Sequence, residues 1–341
     1  MKKIFSVLFV LCLISATLVA APLSSPAATV NLIRNEVITM AELNEEVELY
    51  KSAGYTDVTE AQVLEEMISS RLFYQGAERD GFVPSEKDLD AIYANQKASA
   101  EAQLGRALTD AQFEELVVSQ YGSVEYYREY LKSQIIMNNY VYAKKASIID
   151  NVEEPTEREI KNWYRQNQTT LFAQGETFKL SIITKAKTGD TATDNASKAE
   201  LEKVYQEIKS GKITFEKGVQ LYSTDEASKT RGGDIGWMVD NDIARANVGD
   251  EFVDAVVDLD VGEYSGVVST PSDWCIVKVT SYQPAKILTL DDPITPEDTI
   301  TVRDYIASGL AYQKAEMAFI EAYQDLLNDL LKEAKINRIV K

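Results

Sequence analysis

The spacing of apolar and polar positions predicts a chain that is helical at both ends and mixed in the middle. Across residues 28–175, apolar side chains recur three or four positions apart, which is the period of amphipathic helices. A second such stripe predicts one long helix from about Thr299 to Ala334. Short extended patterns predict a hairpin at Ala28–Ile38 and a closing strand at Ile336–Val340. Capping-box pairs predict four helix starts, at Thr39–Glu42, Thr59–Gln62, Thr109–Gln112 and Thr156–Glu159.

Residues 176–284 show a pattern of strands and short helices instead. Phe178 to Ile183 predicts a strand, Ala196 to Ser210 a helix, and Glu251 to Val257 a short helix, with two final strands after it. Prolines between Pro284 and Pro296 predict a linker to the last helix.

Composition and charge exclude several classes of function. The 341 residues are 45% hydrophobic and 26% charged, so the chain can bury cores, and its net charge of -19 disfavours nucleic acid as a partner. The chain contains no histidine, which excludes histidine-containing catalytic triads and histidine-ligated metal sites. No phosphate-binding loop, dinucleotide fingerprint or calcium loop is present, so we expect neither a cofactor nor a metal.

The first residues have the pattern of a secretory signal peptide. Lys2 and Lys3 precede an apolar stretch from Ile4 to Val19, and small residues follow it. We expect cleavage near Ala20 or Ala21, or as late as Ala27, and therefore an exported, periplasmic protein. No other stretch is apolar enough for a membrane span.

The middle region resembles a parvulin-type prolyl isomerase domain. The resemblance is carried by ordered motifs, of which the most specific is Arg231-Gly232-Gly233-Asp234-Ile235-Gly236-Trp237. The others are LYSTD at 221–225, LDVGEYS at 259–265 and STPSDWCIVKV at 269–279. The flanks resemble the SurA/PrsA group of exported foldases through RNEVITMAEL at 34–43, MISSRLFYQGAERDG at 67–81 and the segment at 126–136.

This resemblance implies an α+β fold. An N-terminal helical chaperone module would be completed by the C-terminal helix, and a parvulin-like domain with a four-stranded antiparallel sheet would be inserted between them. The expected domains are a signal peptide at 1–21, a helical chaperone module at 28–175, a parvulin-like domain at 176–284, and a linker with the C-terminal helix at 285–341.

The resemblance also implies a candidate site. Asp225 matches the position of a catalytic cysteine or aspartate, and Thr270 matches a threonine of the site network. Both could equally be turn or strand-end residues. The implied proline pocket could equally be plain core, and it consists of Ile235, Met238, Val248 and Phe252.

The chain departs from the family at two positions. The first family histidine is replaced by Ser181 or, with a shift of one residue, by Ile182, and the second is replaced by Cys275. We expect the replacing side chains to lie side by side, near Asp225. A serine and a thiol form a weaker hydrogen-bonded network than two imidazoles, so isomerase activity is expected to be weak or absent.

The sequence therefore predicts a periplasmic chaperone that binds unfolded envelope or outer-membrane proteins and their X-Pro segments. Two alternatives remain open. One is a fully active prolyl isomerase that uses Asp225 and the apolar pocket. The other is an envelope scaffold that retains only the fold.

Overall fold

A computed structural model describes residues 25–340. The predicted signal peptide lies outside these residues. The helices are α1 (Met40–Ser52), α2 (Glu60–Arg79), α3 (Glu86–Leu104), α4 (Asp110–Tyr121), α5 (Val124–Ile149), α6 (Glu157–Leu171), α7 (Thr191–Lys209), α8 (Phe215–Tyr222), α9 (Glu226–Lys229), α10 (Asp242–Val248), α11 (Asp250–Val257) and α12 (Val302–Glu333). The strands are β1 (Pro26–Asn31), β2 (Asn35–Thr39), β3 (Ala173–Gln174), β4 (Thr177–Ala186), β5 (Asp234–Val239), β6 (Val268–Ser269), β7 (Asp273–Gln283), β8 (Lys286–Ile287) and β9 (Lys335–Arg338).

The chain divides into two compact units. The first contains the described residues up to Glu153 together with those from Tyr312 onward, and the second runs from Glu154 to Ala311. The N-terminal helices and the C-terminal helix thus form one unit, and the second unit contains a four-stranded antiparallel sheet. The predicted α+β fold class is confirmed.

Local capping signals place the helix starts. All four predicted capping boxes are formed, with each threonine side chain accepting a hydrogen bond from the backbone N–H three residues later. Because a cap satisfies backbone donors that the first turn leaves unpaired, such starts can be read from a few adjacent residues.

Both ends of the described chain meet in the first unit. β1 pairs with β2 in the predicted hairpin and also with β9, in a sheet of order β2-β1-β9. The core beside this sheet is built from α2, α5 and the later part of α12, through residues such as Leu72, Tyr140 and Leu330. A separate apolar cluster joins α3, α4 and the start of α5.

The long C-terminal helix contributes to two different cores. From Ala322 onward its apolar residues pack with α2 and α5, as predicted. Its first turns do not, because Val302 and Ile306 are buried against Ile160, Phe172 and Leu288 in the second unit. We expected the whole helix to pack on the N-terminal helical module, and its first turns instead lie in the core of the second unit.

The hydrogen bonds of strand β1 distinguish between the predicted cleavage sites. Ala27 is fully buried, and its carbonyl accepts hydrogen bonds from the N–H groups of Ile339 and Val340. Cleavage after Ala27 would remove these contacts, whereas cleavage near Ala21 would leave them in place. Among the described residues, no helix is long and apolar enough to span a membrane.

Gly76 is the point of closest approach in the first core. A Cβ atom at this position would lie 2.8 Å from a Leu330 methyl group and 2.9 Å from the Tyr140 hydroxyl oxygen. We predict that Gly76→Ala lowers the free energy of unfolding by about 1–3 kcal/mol through overpacking. Urea denaturation followed by far-UV circular dichroism measures the change.

Gly309 provides the matched control for this prediction. It lies inside α12, and a Cβ there would meet open space. Gly309→Ala should raise stability by about 0.5–1 kcal/mol, because alanine is the better helix former. Equal effects of the two substitutions would contradict the close approach at Gly76.

Candidate functional site

The sheet of the second unit has two apolar faces with different coverings. Its strand order is β5-β4-β7-β6. We call the face that packs against α11 the α11 face; it contains Leu180, Cys275 and Val277. The opposite face packs against α7 and α8, and we call it the α7 face; it contains Ile183 and Ile276. Each candidate residue of a strand can be assigned to one of these faces, since side chains alternate along a strand.

Three of the four predicted pocket residues are together on the α11 face. Phe252 is only 3% exposed, so it belongs to the core. Met238 and Val248 pack against the same cluster and are half-buried. Phe252 therefore forms the floor of any proline site here, and Met238 and Val248 provide the side chains that a ligand could contact.

Ile235 does not belong to this group. It is 42% exposed, and it lies three residues before Met238 on β5. Ile235 is the extra residue of a β-bulge, because its neighbours Asp234 and Gly236 pair with Ser181 and Leu180. Alternation along β5 therefore does not assign it to a face, and its place in the pocket stays a prediction.

Ser181 and Cys275 are not brought together either. Ser181 pairs with Lys278, whose ammonium group lies 5.3 Å from the centre of the Phe215 ring on the α7 face. Cys275 belongs to the α11 face. The sheet separates these two side chains, so the structure does not support the Ser181 alternative for the neighbour of Cys275.

Ile182 is the residue of β4 that shares the face of Cys275. It pairs with Val277 and packs against the α11-face cluster. Of the two alternatives for the first replaced histidine, the geometry thus favours Ile182. An isoleucine has no polar side-chain atom, so this position adds nothing to a hydrogen-bonded network.

Cys275 is held as a neutral thiol. It is 1% exposed, and its sulfur lies 3.9 Å from the carbonyl oxygen of Val268. Burial raises the pKa of the Cys275 thiol to about 12. Reactive cysteines need a lowered pKa and access to solvent, and Cys275 has neither.

The residue directly opposite Cys275 is Thr184, which sequence reasoning missed. Its N–H donates to the Ser223 hydroxyl at 3.2 Å, and its carbonyl accepts from the Thr224 N–H at 2.8 Å. Since both backbone groups bind this loop, Thr184 and Cys275 form a non-hydrogen-bonded pair, the kind in which side chains approach most closely. Only the strand register could reveal this residue.

Asp225 follows that loop and begins α9. Its carboxylate accepts a hydrogen bond from the Ala227 N–H at 3.2 Å, which makes it a helix cap. Its side chain is half-buried. The turn-forming role is thus observed directly, while a role beside a twisting peptide bond stays a prediction.

Thr270 is likewise used in a turn. It lies in the hairpin between β6 and β7, where its hydroxyl accepts from the Asp273 N–H at 2.9 Å and its N–H donates to the Asp273 carbonyl at 2.9 Å. The ammonium group of Lys187 bonds to the Thr270 carbonyl. These bonds occupy the polar groups that a site network would need.

The paired glycines are explained by a close backbone contact. Gly233 has φ +85°, and a Cβ atom there would lie 2.5 Å from the carbonyl oxygen of Ile182. The Gly233 carbonyl also accepts the N–H of Ile182 at 2.9 Å. Only glycine fits this conformation and this approach. The motif therefore places β4, and Ile182 with it, against the loop that precedes β5.

Comparisons with known proteins agree with this geometry. Residues 155–292 match the family model described as a PPIC-type PPIASE domain. The second unit is therefore similar to parvulin domains of the PPIC type, the class that the motifs predicted.

Related chains are chaperones and foldases. The chain is 24% identical over 282 residues to Chaperone SurA of Alkalilimnicola ehrlichii, covering 78% of this chain and 60% of the relative. It is 25% identical to Foldase protein PrsA of Clostridium botulinum, covering 82% and 74%. A SurA-like chaperone structure from Campylobacter jejuni aligns over 93% of this chain and 99% of its own, with 15% identity and a TM-score of 0.40. The predicted resemblance to SurA/PrsA-type foldases is confirmed. The matched region covers 60% of the length of the first SurA relative and 50% of the length of a second one.

The buried thiol leads to a direct prediction. In a Cys12→Ser chain, whose remaining cysteine is Cys275, a disulfide reagent such as DTNB should not react at pH 8 while the protein is folded. With a pKa raised to about 12, the thiol stays protonated until the pH is far above its unfolded value. One equivalent should react in denaturant. Rapid reaction of the folded chain would contradict the assignment of Cys275 to the core.

Proposed function

We propose that this protein is an exported chaperone whose parvulin domain binds peptide segments with weak or absent prolyl isomerase turnover. The observation that carries the proposal is the α11 face itself. It retains Met238, Val248 and Phe252, but the two positions where the family has histidines are filled by Ile182 and the neutral thiol of Cys275. The face is suited to holding an apolar ring, and it lacks the imidazoles whose hydrogen bonds would support the site network.

The physical requirement of prolyl isomerisation favours peptide binding with weak turnover over full isomerase activity. Rotation about an X-Pro bond crosses a barrier of about 18–20 kcal/mol, and a catalyst must bind the twisted amide better than the planar one. Polar groups placed at the amide usually supply that difference. The hydroxyls of Thr184, which pairs with Cys275, and of Ser223 already bond to backbone groups. Little polar capacity therefore remains at this face.

The proposed clients are unfolded exported proteins, including envelope or outer-membrane proteins and their X-Pro segments. Similarity to SurA and PrsA chaperones supports this, as does the signal-like start of the sequence. In the first unit, aromatic side chains of the α3–α5 region supply candidate contacts. Phe113, Tyr127 and Tyr140 are core residues, whereas Tyr126, Tyr130 and Tyr142 are exposed. The exposed rings offer an apolar face with a polar tip, which suits loose binding of unfolded segments.

One alternative is supported by a specific observation. Asp225 remains half-buried, with a carboxylate whose described contact is the capping bond to Ala227. An active isomerase could use this carboxylate together with the apolar pocket. A scaffold that retains only the fold is the third candidate, and loss of both turnover and client binding would favour it.

Isomerase turnover separates the first two candidates. We expect the wild-type chain to accelerate a proline-limited refolding reaction only weakly. The double change Ile182→His with Cys275→His should increase the rate, because it returns two imidazoles to one face. The matched control, Ser181→His with Cys275→His, should give no increase, because the sheet separates its two imidazoles. A wild-type rate equal to that of a histidine-containing parvulin would reject the weak-turnover proposal.

Client binding is tested on the first unit. Tyr126→Ser with Tyr130→Ser should weaken suppression of client aggregation, raising the half-effective concentration about tenfold if each ring contributes about 0.7 kcal/mol. Tyr282→Ser, which changes an exposed tyrosine of the second unit, serves as the control and should change suppression little. Equal effects of the double change and the control would contradict client binding by these two rings.

A further inference from the structure

The four-stranded sheet of the second unit ends in two edge strands that differ in how they are protected. The β6 edge, Val268–Ser269, is short, and its Ser269 N–H donates to a carboxylate oxygen of Glu251 at 3.1 Å. The β5 edge, Asp234–Val239, is longer and contains neither lysine nor proline, the residues that often protect exposed edges. Among the described residues, β5 pairs with β4 alone. The far side of β5 is therefore open to a further strand.

Hydrogen bonds to β4 identify the backbone groups of β5 that point to this open side. The Asp240 N–H, just after β5, donates to the Glu176 carbonyl at 2.8 Å. Bonded and non-bonded pairs alternate along an antiparallel ladder, so Met238, two residues before Asp240, also faces β4. Trp237 and Val239 lie at the alternate positions. Their N–H and carbonyl groups therefore point away from β4.

The first residue of β5 follows the same alternation, on the other side of the bulge at Ile235. The Gly233 carbonyl accepts the N–H of Ile182 at 2.9 Å, so Gly233 faces β4 and Asp234 faces outward. The outward carbonyl of Asp234 accepts a hydrogen bond from the guanidinium of Arg231 at 3.1 Å. The open side of β5 thus begins after a position that the protein closes with its own side chain.

The outward groups of Trp237 and Val239 determine what kind of partner fits. In the part of the chain that the structure describes, no residue outside β4 forms a hydrogen bond with the backbone of either residue. Donors and acceptors that recur two residues apart along a strand match an extended backbone. Helices and sheets of a folded protein already use these groups internally, whereas an unfolded chain still offers them. The edge is therefore suited to an unfolded segment.

The open side of β5 adjoins the pocket proposed for the proline ring. Met238 lies between Trp237 and Val239, and its side chain packs against the cluster that contains Phe252. Cross-strand neighbours on one face of a sheet are about 5 Å apart. A side chain of an added strand that points to the α11 face therefore lies beside Met238. One segment can occupy the edge and the pocket together.

We propose that β5 binds an extended segment of an unfolded client as an added strand, through the backbone groups of Trp237 and Val239. This inference rests on the proposed function and specifies how the second unit holds its peptide. Backbone pairing does not depend on the side chains of the client, so it selects for an extended conformation. Proline has no N–H group, so residues beside the X-Pro bond pair with β5 while the proline ring contacts Met238.

Amide hydrogen exchange of the full-length chain, followed by NMR, tests this pairing directly. The probe is a fluorescent peptide of alternating valine and threonine residues with one Ala-Pro bond near its end. At saturation, exchange of the Trp237 and Val239 amides should slow at least about tenfold, because each gains a hydrogen bond. The Met238 amide is the internal control, since it already faces β4 and should change little.

The outcomes separate this inference from the proposed function. Peptide binding, measured by fluorescence anisotropy, without slower exchange at Trp237 and Val239 would overturn strand addition and leave the proposed peptide binding intact. No binding of the peptide at all would overturn both. Slower exchange that appears without peptide as the protein concentration rises would assign the edge to a second copy of the chain, and the client would be rejected as its occupant.

Methyl groups on the peptide backbone give a second test with a matched control. N-methylation of alternate residues blocks either the peptide amides that face β5 or those that face away. One methylated peptide should bind at least about tenfold more weakly than the parent, and the other should bind about as tightly as the parent. Equal affinities of the two methylated peptides would contradict pairing with β5.

Val239→Pro completes the test from the side of the protein. It removes an outward donor, and proline is accepted on edge strands where the N–H faces solvent. Affinity for the parent peptide should fall severalfold. Affinity for the peptide methylated on its β5-facing amides should fall no further, because a segment that does not pair has no bond to lose. The same loss with both peptides would show that the Val239 N–H is not part of the pairing and would overturn the proposal.

Discussion

The candidate site depends on the register between β4 and β7. These two long strands pair along nearly their whole length, from Thr177↔Gln283 to Ala186↔Asp273. The register decides which side chains share a face, because a shift of one residue would move every side chain of β4 to the other face. Ile182 therefore faces the cluster that holds Cys275, and Ser181 faces the opposite helices. The hydrogen bonds to Gly233 and to the loop at Ser223 keep this register in place.

The same register explains the polarity of the site. With an isoleucine and a buried thiol where the family has two imidazoles, the α11 face is apolar across its centre. The hydroxyls of Thr184 and Ser223 bond to backbone groups, and Thr270 and Asp225 form hydrogen bonds within turns. Such a surface can hold an apolar ring by burial, which needs no directed polar group. Selective stabilisation of a twisted amide requires such groups, so binding is easier to derive from this geometry than catalysis.

The first unit depends on a different constraint, the meeting of distant parts of the chain. β1 and β9 pair, and α12 packs on α2 and α5 where Gly76 allows the closest approach. The described parts of this unit, residues 25–153 and 312–340, are separated in sequence by the second unit.

The sequence alone determined the features that depend on a few adjacent residues. Helix starts followed from capping boxes, and the parvulin class followed from motifs whose glycines have one physical explanation. Only the tertiary structure decided which face each strand residue occupies. The register shifts near Leu180 place an extra residue in each partner strand, Ile235 in β5 and Thr280 in β7, so the residues that meet Ser181 and Ile182 could not be counted from the sequence. The packing of the first turns of α12 against Phe172 and Leu288 also could not be predicted from the sequence. An amphipathic stripe shows that one face of a helix is buried, but it does not identify the residues that bury it.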